Sequence, residues 1–379
     1  MTVLDLAGLT SAPAQTWGVV RLVPLLRESP VVDLRLHASL HDPAEASIVH
    51  VGPSTAYASL VPHAFVADWT GDGTPAAAYG TQLAQPGGAI GCIRLGYRRR
   101  MVRREGRRRL RFLPLHLAME GYLGLHFGGP SIAWEEWTRQ AVTQGLSPRV
   151  ELTYAGAQIP DLAEALRIFE IYPEQCGVLL YVADALAAAF VVPHPDDYRT
   201  LHPTLLGDFY GELLYQYGSL YPPVQDFVTR IDEAAVTTVA DLRAQLVAAR
   251  REWTAFHDTM AGGLVTASGR TVTEIRTMGR FTLSRFLPAF DPDVENHIGE
   301  TITDEAGHLA YLMTVRLSAA QTRRGYLLSR LASLDWDLDT TAADLGTDRE
   351  GLVQRLDRAG LGHLLRADVI DAVRRRARR

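Results

Sequence analysis

Four polar side chains near the C-terminus have the types and the spacing to bind nucleic acid. They are Arg349, Gln354, Arg355 and Arg358. Guanidinium groups match phosphate oxygens and guanine edges, and a glutamine amide matches the edge of adenine. Helical spacing places these side chains near one exposed face. Three carboxylates interrupt that face: Asp348, Glu350 and Asp357. Because carboxylates repel phosphate, two interpretations stay open: this helix contacts double-stranded DNA, or the tail docks on its own body or on a protein partner.

A second basic segment lies at 98–111, where nine arginines and one glutamate occupy fourteen residues. Apolar, strand-like runs at 89–97 and 110–117 flank a Glu105-Gly106 turn, so the pattern predicts a β-hairpin with arginines at its tip. Such a tip suits phosphate contacts, because each contact releases counterions. The residues that we expect to make these contacts are Arg103, Arg104, Arg107 and Arg108. The alternative is a solvated hairpin, since all 38 basic residues of this chain are arginines.

A helix-turn-helix is the element that would position the C-terminal set. Small residues at 342–343 let two helices cross closely, and Gly346 separates the two helical patterns. Leucines at 345, 352 and 356 have the spacing to bury the inner faces of both helices. A preceding helix at about 319–334 carries leucines that can close a trihelical core.

The second helix of this pair has its own start and stop signals. Thr347 followed by Glu350 predicts a capping box, which satisfies two backbone N–H groups at a helix start. Gly360 fits the left-handed residue that commonly ends a helix. The arginine cluster at 374–379 closes the chain, and we predict that it is a mobile tail.

Residues 335–361 resemble the trihelical factor-for-inversion-stimulation type of helix-turn-helix that ends many bacterial enhancer-binding regulators. The residues that carry the resemblance are Ala342-Ala343, Leu345-Gly346, Arg349, Leu352, Arg355, Leu356 and Gly360-Leu361. The chain departs from the pattern at Leu338, Asp348 and Gly351. The resemblance implies double-stranded DNA as a partner. It also implies a homodimer on paired half-sites, and we expect the helix at 319–334 to contribute to the dimer contact.

The first 220 residues resemble the bacterial family of ARG and rhodanese-phosphatase-superfamily-associated proteins. The resemblance lies in Leu-Val-Pro-Leu-Leu at 22–26, Pro-Glu-Gln-Cys-Gly-Val at 173–178, Tyr198-Arg199, and Leu-His-Pro-Thr-Leu-Leu at 201–206. It implies a place in a stress or defence gene cluster and a possible protein partner encoded by a neighbouring gene. It supplies no catalytic residues.

Composition limits the class of protein. The chain has 379 residues, of which 47% are hydrophobic and 21% charged, as in an ordinary soluble globular protein of two or three domains. The net charge of −5 makes the arginine segments local patches on an acidic protein. Two apolar-flanked cysteines, Cys92 and Cys176, and the absence of a signal-peptide pattern favour the cytoplasm. The longest apolar run, at 176–192, contains Asp184 and predicts two strands and no membrane span.

The order of patterns along the chain predicts an α+β fold with a β-rich N-terminal body that also contains helices. Short β-like runs punctuated by glycine and proline extend from residue 18 to about residue 117. Helical patterns follow at 134–144, 161–169 and about 203–217, and the segment at 217–223, with Pro222-Pro223, forms a linker. We expect an all-helical C-terminal part after it. That part consists of a helical connector at 224–318, with a long helix at 239–260 and a hinge at Gly262-Gly263, and a helix-turn-helix domain with a basic tail at 319–379.

Catalytic motifs are absent from the sequence. It has no phosphate-binding loop ending in Gly-Lys-Ser and no Gly-x-Ser-x-Gly elbow. The acidic segment at 291–297 lacks the glycine and the bidentate glutamate of a calcium loop, so we predict a polar loop between helices. The densest polar set of the body lies at 174–175, 194–197 and 202. A small-molecule pocket there is the alternative to a solvated hairpin end followed by a helix cap. We therefore expect no catalytic residue, metal or cofactor. A non-enzymatic adaptor is the alternative function, and an enzyme with an unrecognised site is the third interpretation.

Overall fold

The computed structural model describes about half of the first 270 residues and nearly all of the chain after them. The described residues are residue 6 and residues 8–36, 48–52, 55–59, 66–69, 76–77, 81–84, 169–204, 222–224, 230–265 and 270–377. The arginine-rich segment at 98–111 lies outside them, and with it Arg103, Arg104, Arg107 and Arg108. The predicted runs at 89–97 and 110–117, the helical pattern at 134–144, and most of the helical patterns at 161–169 and 203–217 lie outside them too.

The strands of the described residues run in chain order from β1 to β15. They are Thr10–Ser11 (β1), Gln15–Trp17 (β2), Val20–Leu26 (β3), Leu34–Leu36 (β4), Ile48–Gly52 (β5), Thr55–Ser59 (β6), Val66–Trp69 (β7), Ala76–Ala77 (β8), Thr81–Ala84 (β9), Gln175–Val182 (β10), Ala185–Val191 (β11), Thr271–Met278 (β12), Phe281–Leu287 (β13), His297–Asp304 (β14) and Leu309–Arg316 (β15). The main sheet has nine antiparallel strands in the order β1-β3-β10-β11-β15-β14-β13-β12, with β2 paired to β3. Two three-stranded sheets, β4-β7-β8 and β5-β6-β9, complete the strand pairing of these residues.

The hairpin of β10 and β11 forms the centre of the main sheet. Its two-residue turn consists of Ala183 (φ 49°) and Asp184 (φ 60°), the left-handed pair that favours tight hairpins between twisted strands. Every residue of β10 is buried. The apolar run is therefore long because both faces of the strand are covered, and the predicted pair of strands around this turn is confirmed.

Six α-helices occur in the described residues. They are Pro195–Thr204 (α1), Val239–Val265 (α2), Ala319–Ser333 (α3), Leu338–Asp344 (α4), Arg349–Arg358 (α5) and Ala367–Ala377 (α6). Helix α2 continues through Gly262 and Gly263, so the predicted hinge there is wrong. Within the part of the chain that is described, no helix is both long and apolar enough to cross a membrane.

The α+β class is confirmed, but the helical connector predicted at 224–318 is wrong for residues 271–316. Four antiparallel strands, β12 to β15, occupy this segment, and β15 pairs with β11 of the central hairpin. In β12, β-branched residues occur at every second position from Thr271 to Thr277, which fits a pleated strand better than a helix. The last four strands of the main sheet therefore come from beyond residue 224. The predictions of an all-helical region after 224 and of a body that ends at 220 are both wrong for this reason.

Two hydrophobic cores cover the main sheet, one on each face. Alternate residues of β10 contribute to them: Val178 and Leu180 to the larger core, and Leu179 and Tyr181 to the smaller. The larger core continues into the C-terminal helices, where buried leucines of α3 and α5 join the same cluster. The C-terminal helices are thus held by the core of the sheet.

Candidate functional site

The C-terminal helix pair α4 and α5 is defined by two aspartate caps. Asp337 accepts a hydrogen bond from the Thr340 N–H at 2.6 Å, and Asp348 accepts one from the Gly351 N–H at 2.7 Å. The cap of α5 is therefore Asp348, and the predicted capping box of Thr347 and Glu350 is wrong. Asp348 is a better cap than Thr347 because its negative charge also interacts favourably with the positive end of the helix dipole.

Glycines and small residues set the path of the chain around this pair. Gly346 (φ 64°) turns the chain between the helices, and Gly360 (φ 78°) follows α5 as predicted. Ala342 is buried with Leu352 and Leu356, whereas Ala343 is exposed and takes no part in the predicted close crossing. The inner face of α5 is thus apolar, and its opposite face is open to polar contacts.

The four predicted contact residues of α5 divide into two groups. Gln354 and Arg355 are adjacent, and Arg358 follows one helical turn later, so the three side chains lie on the side of α5 away from its buried leucines. Both arginines are exposed. Arg349 is not brought together with them, because its Nη1 lies 2.8 Å from Oδ2 of Asp339 on α4. It fastens the start of α5 to the preceding helix.

All three carboxylates that were expected to repel phosphate have partners. Asp348 caps α5, Arg374 pairs with Asp357 at 2.8 Å, and Arg376 pairs with Glu350 at 3.3 Å. Both arginines belong to α6, so the prediction of a mobile basic tail is wrong for residues up to 377. Helix α6 neutralises the acidic side of α5, an arrangement that helical spacing within α5 alone does not reveal.

A pocket of about 650 Å³ lies between α3, α5 and the loop after β13. Phe290, Leu327 and Leu345 contribute apolar surface, and Arg355 and Arg358 line its α5 side. A third arginine, Arg323 of α3, faces the same pocket and was missed by the sequence analysis. The Arg323-Arg324 pair on a helical pattern was the available signal, although only packing shows which of the two points here. Among the described residues, neither Arg323, Arg355 nor Arg358 has a carboxylate partner.

The conformation of Phe290 shapes the floor of this pocket. Its backbone is left-handed (φ 58°), which is rare for a bulky residue and occurs where the surroundings hold it in place. Its ring lies against Gly325 of α3, where any Cβ would overlap it. Arg324 donates to the Ala359 carbonyl and so ties α3 to the end of α5. The two helical walls and the floor are therefore fixed relative to one another.

The polar set after the central hairpin is partly buried in the structure. The Tyr198 hydroxyl lies 3.1 Å from Nδ1 of His202, and Arg35 pairs with Asp197 at 2.8 Å. Burial raises the pKa of Tyr198 and lowers the pKa of His202 to about 4. These two neutral side chains and the partly exposed ion pair hold α1 in place. Gln175, Asp197 and His202 are buried whereas Glu174 and Asp196 are exposed, so the predicted solvated hairpin end is wrong for the first three only.

A buried carboxyl lies in the middle of the sheet. Glu300 of β14 is fully buried and accepts a hydrogen bond from Nε of Arg285 on β13. Burial raises the pKa of Glu300 to about 7, although the Arg285 charge opposes this effect. A carboxyl with such a pKa can exchange a proton near neutrality, but its burial keeps it from any substrate.

The acidic segment at 291–297 connects two strands, β13 and β14, where a loop between helices was predicted. Nδ2 of Asn296 donates to the carbonyls of Asp291 and Val294, at 2.6 and 2.8 Å, so the turn is closed by protein groups. No cluster of three or more potential metal ligands occurs in the described part of the chain.

Comparison with known proteins places this architecture in a family. A family model described as ARPP-2 matches residues 4–279, which include the central hairpin and end one residue after β12. No curated protein and no solved structure matches the chain. The match spans most of the chain and confirms the resemblance of its N-terminal part. The three strands after it and the C-terminal helices lie beyond the match. The chain belongs to the ARPP-2 family.

Proposed function

We propose that this protein binds double-stranded DNA through the helix-turn-helix formed by α4 and α5, as a regulator within a bacterial stress or defence gene cluster. The observation that carries the proposal is the exposed side of α5, where Gln354, Arg355 and Arg358 lie free of the carboxylates on the same helix. The factor-for-inversion-stimulation type of motif is the one that these residues resemble. The arginine-rich segment at 98–111 would add phosphate contacts that do not depend on sequence.

Charge distribution supports this proposal. Residues 319–379 contain twelve arginines and nine aspartate or glutamate residues, so they carry a net charge of +3 in a chain whose net charge is −5. A cationic segment on an acidic protein attracts a polyanion at one end and keeps the remainder of the surface away from it. The pairing of Glu350 and Asp357 with α6 removes the local repulsion that an isolated α5 would exert.

A homodimer in the cytoplasm is part of the proposal. A short recognition helix reads few base pairs, and two copies on half-sites about one helical turn apart read more. Helix α3 exposes Ala319 and Ala320 at its start, outside the residues that line the pocket, and we propose that this helix contributes to the dimer contact. Sedimentation of the full chain with and without a duplex measures the stoichiometry.

The test is a titration of a fluorescent duplex with the full chain at two salt concentrations. The full chain is required because α3 and α5 share the core of the sheet. We expect Arg355→Gln with Arg358→Gln to weaken binding and to lower the slope of log affinity against log salt by about 1.8, if each arginine contacts one phosphate. Gln354→Ala should alter the preference among sequences more than the slope.

Arg243→Gln is the matched control. Arg243 is exposed on α2 and has no ion pair among the described residues, so this variant removes one charge from a helix that does not line the pocket. Equal slopes for the control and for the α5 variant would remove the case for DNA binding by α5. If the wild-type chain shifts no duplex at low salt but retains a protein encoded by a neighbouring gene through α4 and α5, the adaptor function replaces the DNA-binding one.

A further inference from the structure

The pocket between α3 and α5 combines an apolar floor with a cationic rim. Phe290, Leu327 and Leu345 supply the floor, and Arg323 and the two α5 arginines supply the rim. No carboxylate lines it among the described residues, although carboxylates pair with the neighbouring Arg330, Arg349 and Arg374. Three unpaired guanidinium groups around one apolar concavity repel each other, and an anion between them would relieve that repulsion.

We propose that this pocket is a binding site for a small amphipathic anion, a molecule with an apolar body and a carboxylate, sulfonate or phosphate head. Its volume of about 650 Å³ suits a small organic ligand. The apolar body would lie against Phe290 and Leu327, and the head would accept hydrogen bonds from Arg323 and Arg358 at the rim. Guanidinium groups recognise all three head groups by the same planar geometry.

The walls of the pocket are already in place before a ligand arrives. Gly325 admits the Phe290 ring, and Arg324 links α3 to the chain after α5. A preformed site loses less conformational entropy on binding than one that must close around its ligand. The rim side chains are long and exposed, so they can adjust to the position of the head.

This site has a consequence that rests on the proposed DNA binding. Arg355 and Arg358 line the pocket and are also the residues assigned to phosphate contacts. A ligand head bound by Arg358 and Arg323 would neutralise part of the charge that a duplex needs, so ligand and DNA would weaken the binding of each other by the same factor. Ligand binding itself does not depend on this consequence.

The test uses two fluorescent probes with the full chain. 1-Anilinonaphthalene-8-sulfonate has the anionic head, and N-phenyl-1-naphthylamine has the same aromatic body without it. We expect the sulfonate probe to bind at one saturable site per chain. Arg323→Gln should weaken the sulfonate probe roughly tenfold, the loss of one charged hydrogen bond, and the uncharged probe less than about twofold. Arg243→Gln should leave both affinities unchanged.

Displacement and DNA titration separate the two parts of the proposal. Decanoate and decyl phosphate should displace the sulfonate probe, and decanol should do so far less well; their relative strengths distinguish a carboxylate from a phosphate ligand. Sulfonate binding that is equal in wild type and Arg323→Gln, or that is unsaturable, would overturn the site. Saturable probe binding without any duplex binding would keep the ligand site and remove the DNA-binding function. Loss of the probe site on dimerisation would assign the surface to a second copy and overturn the ligand proposal.

Discussion

Replacing Glu300 by glutamine should change how the stability of this protein depends on pH. Burial raises the pKa of Glu300 from its ordinary value of 4.5 to about 7 in the folded chain. The unfolded chain therefore ionises this carboxyl first, and ionisation favours unfolding. Stability from this group is complete below pH 4.5, declines as the pH rises from 4.5 to about 7, and stays low above that. At about 1.4 kcal/mol per pH unit, the decline is about 3 kcal/mol.

The measurement is urea unfolding of wild type and Glu300→Gln between pH 4.5 and 8, followed by circular dichroism. Glutamine stays neutral throughout, so the variant should gain about 3 kcal/mol on the wild type across this range. Any cost of its amide hydrogen bonds beside Arg285 adds a constant that does not vary with pH. Glu305→Gln, which changes an exposed glutamate between β14 and β15, is the control and should run parallel to wild type. If the Glu300→Gln curve is also parallel, Glu300 does not hold a raised pKa.

Three further substitutions test the packing of the C-terminal helices. Gly325→Ala should lower the free energy of unfolding by about 1–3 kcal/mol, because the added Cβ overlaps the Phe290 ring; an unchanged melting temperature would mean that this contact is loose. Ala342→Glu should unfold the C-terminal helices by placing a charge in the shared core, seen as lost ellipticity and increased proteolysis beyond 316; a protected tail would contradict the packing. Asp348→Ala should lower the free energy of unfolding by about 1 kcal/mol, because the helix cap is lost. Asp348→Asn should retain most of that stability because its amide oxygen can accept the same hydrogen bond, and equal losses in the two variants would exclude a capping role.

Local signals explain which parts of the fold the sequence could predict. The turn of the central hairpin and the glycines on either side of α5 can each be recognised from a few neighbouring residues. The hairpin and the turns around α5 were therefore predicted close to their observed positions. Strand β12 was missed although its β-branched residues alternate and Gly279 (φ 58°) turns the chain after it. Helical spacing and strand alternation both fit short mixed segments, and the preceding long helix favoured the wrong choice.

The candidate site was predicted only where its residues share one helix. Arg355 and Arg358 follow from the spacing within α5, but Arg323 belongs to another helix and Phe290 to a loop between strands. Their convergence depends on how α3 and α5 pack on the sheet, which periodicity does not encode. The partners of Glu350 and Asp357 come from α6, so the charge of this surface could be judged only after the helices were assembled.

The strand order has a consequence for the synthesis of this protein. Strand β11 is bordered by β15, with Ala188 opposite Val315, so one edge of the central hairpin waits for a segment made long after it. Until β15 leaves the ribosome, the backbone N–H and C=O groups on that edge can pair with another nascent chain, as exposed strand edges do. A chain cut after residue 279, where the family match ends, would keep that open edge permanently. The last strands to be synthesised therefore complete the sheet by pairing with β11. Chaperones would be needed most in the interval before β15 is synthesised and pairs.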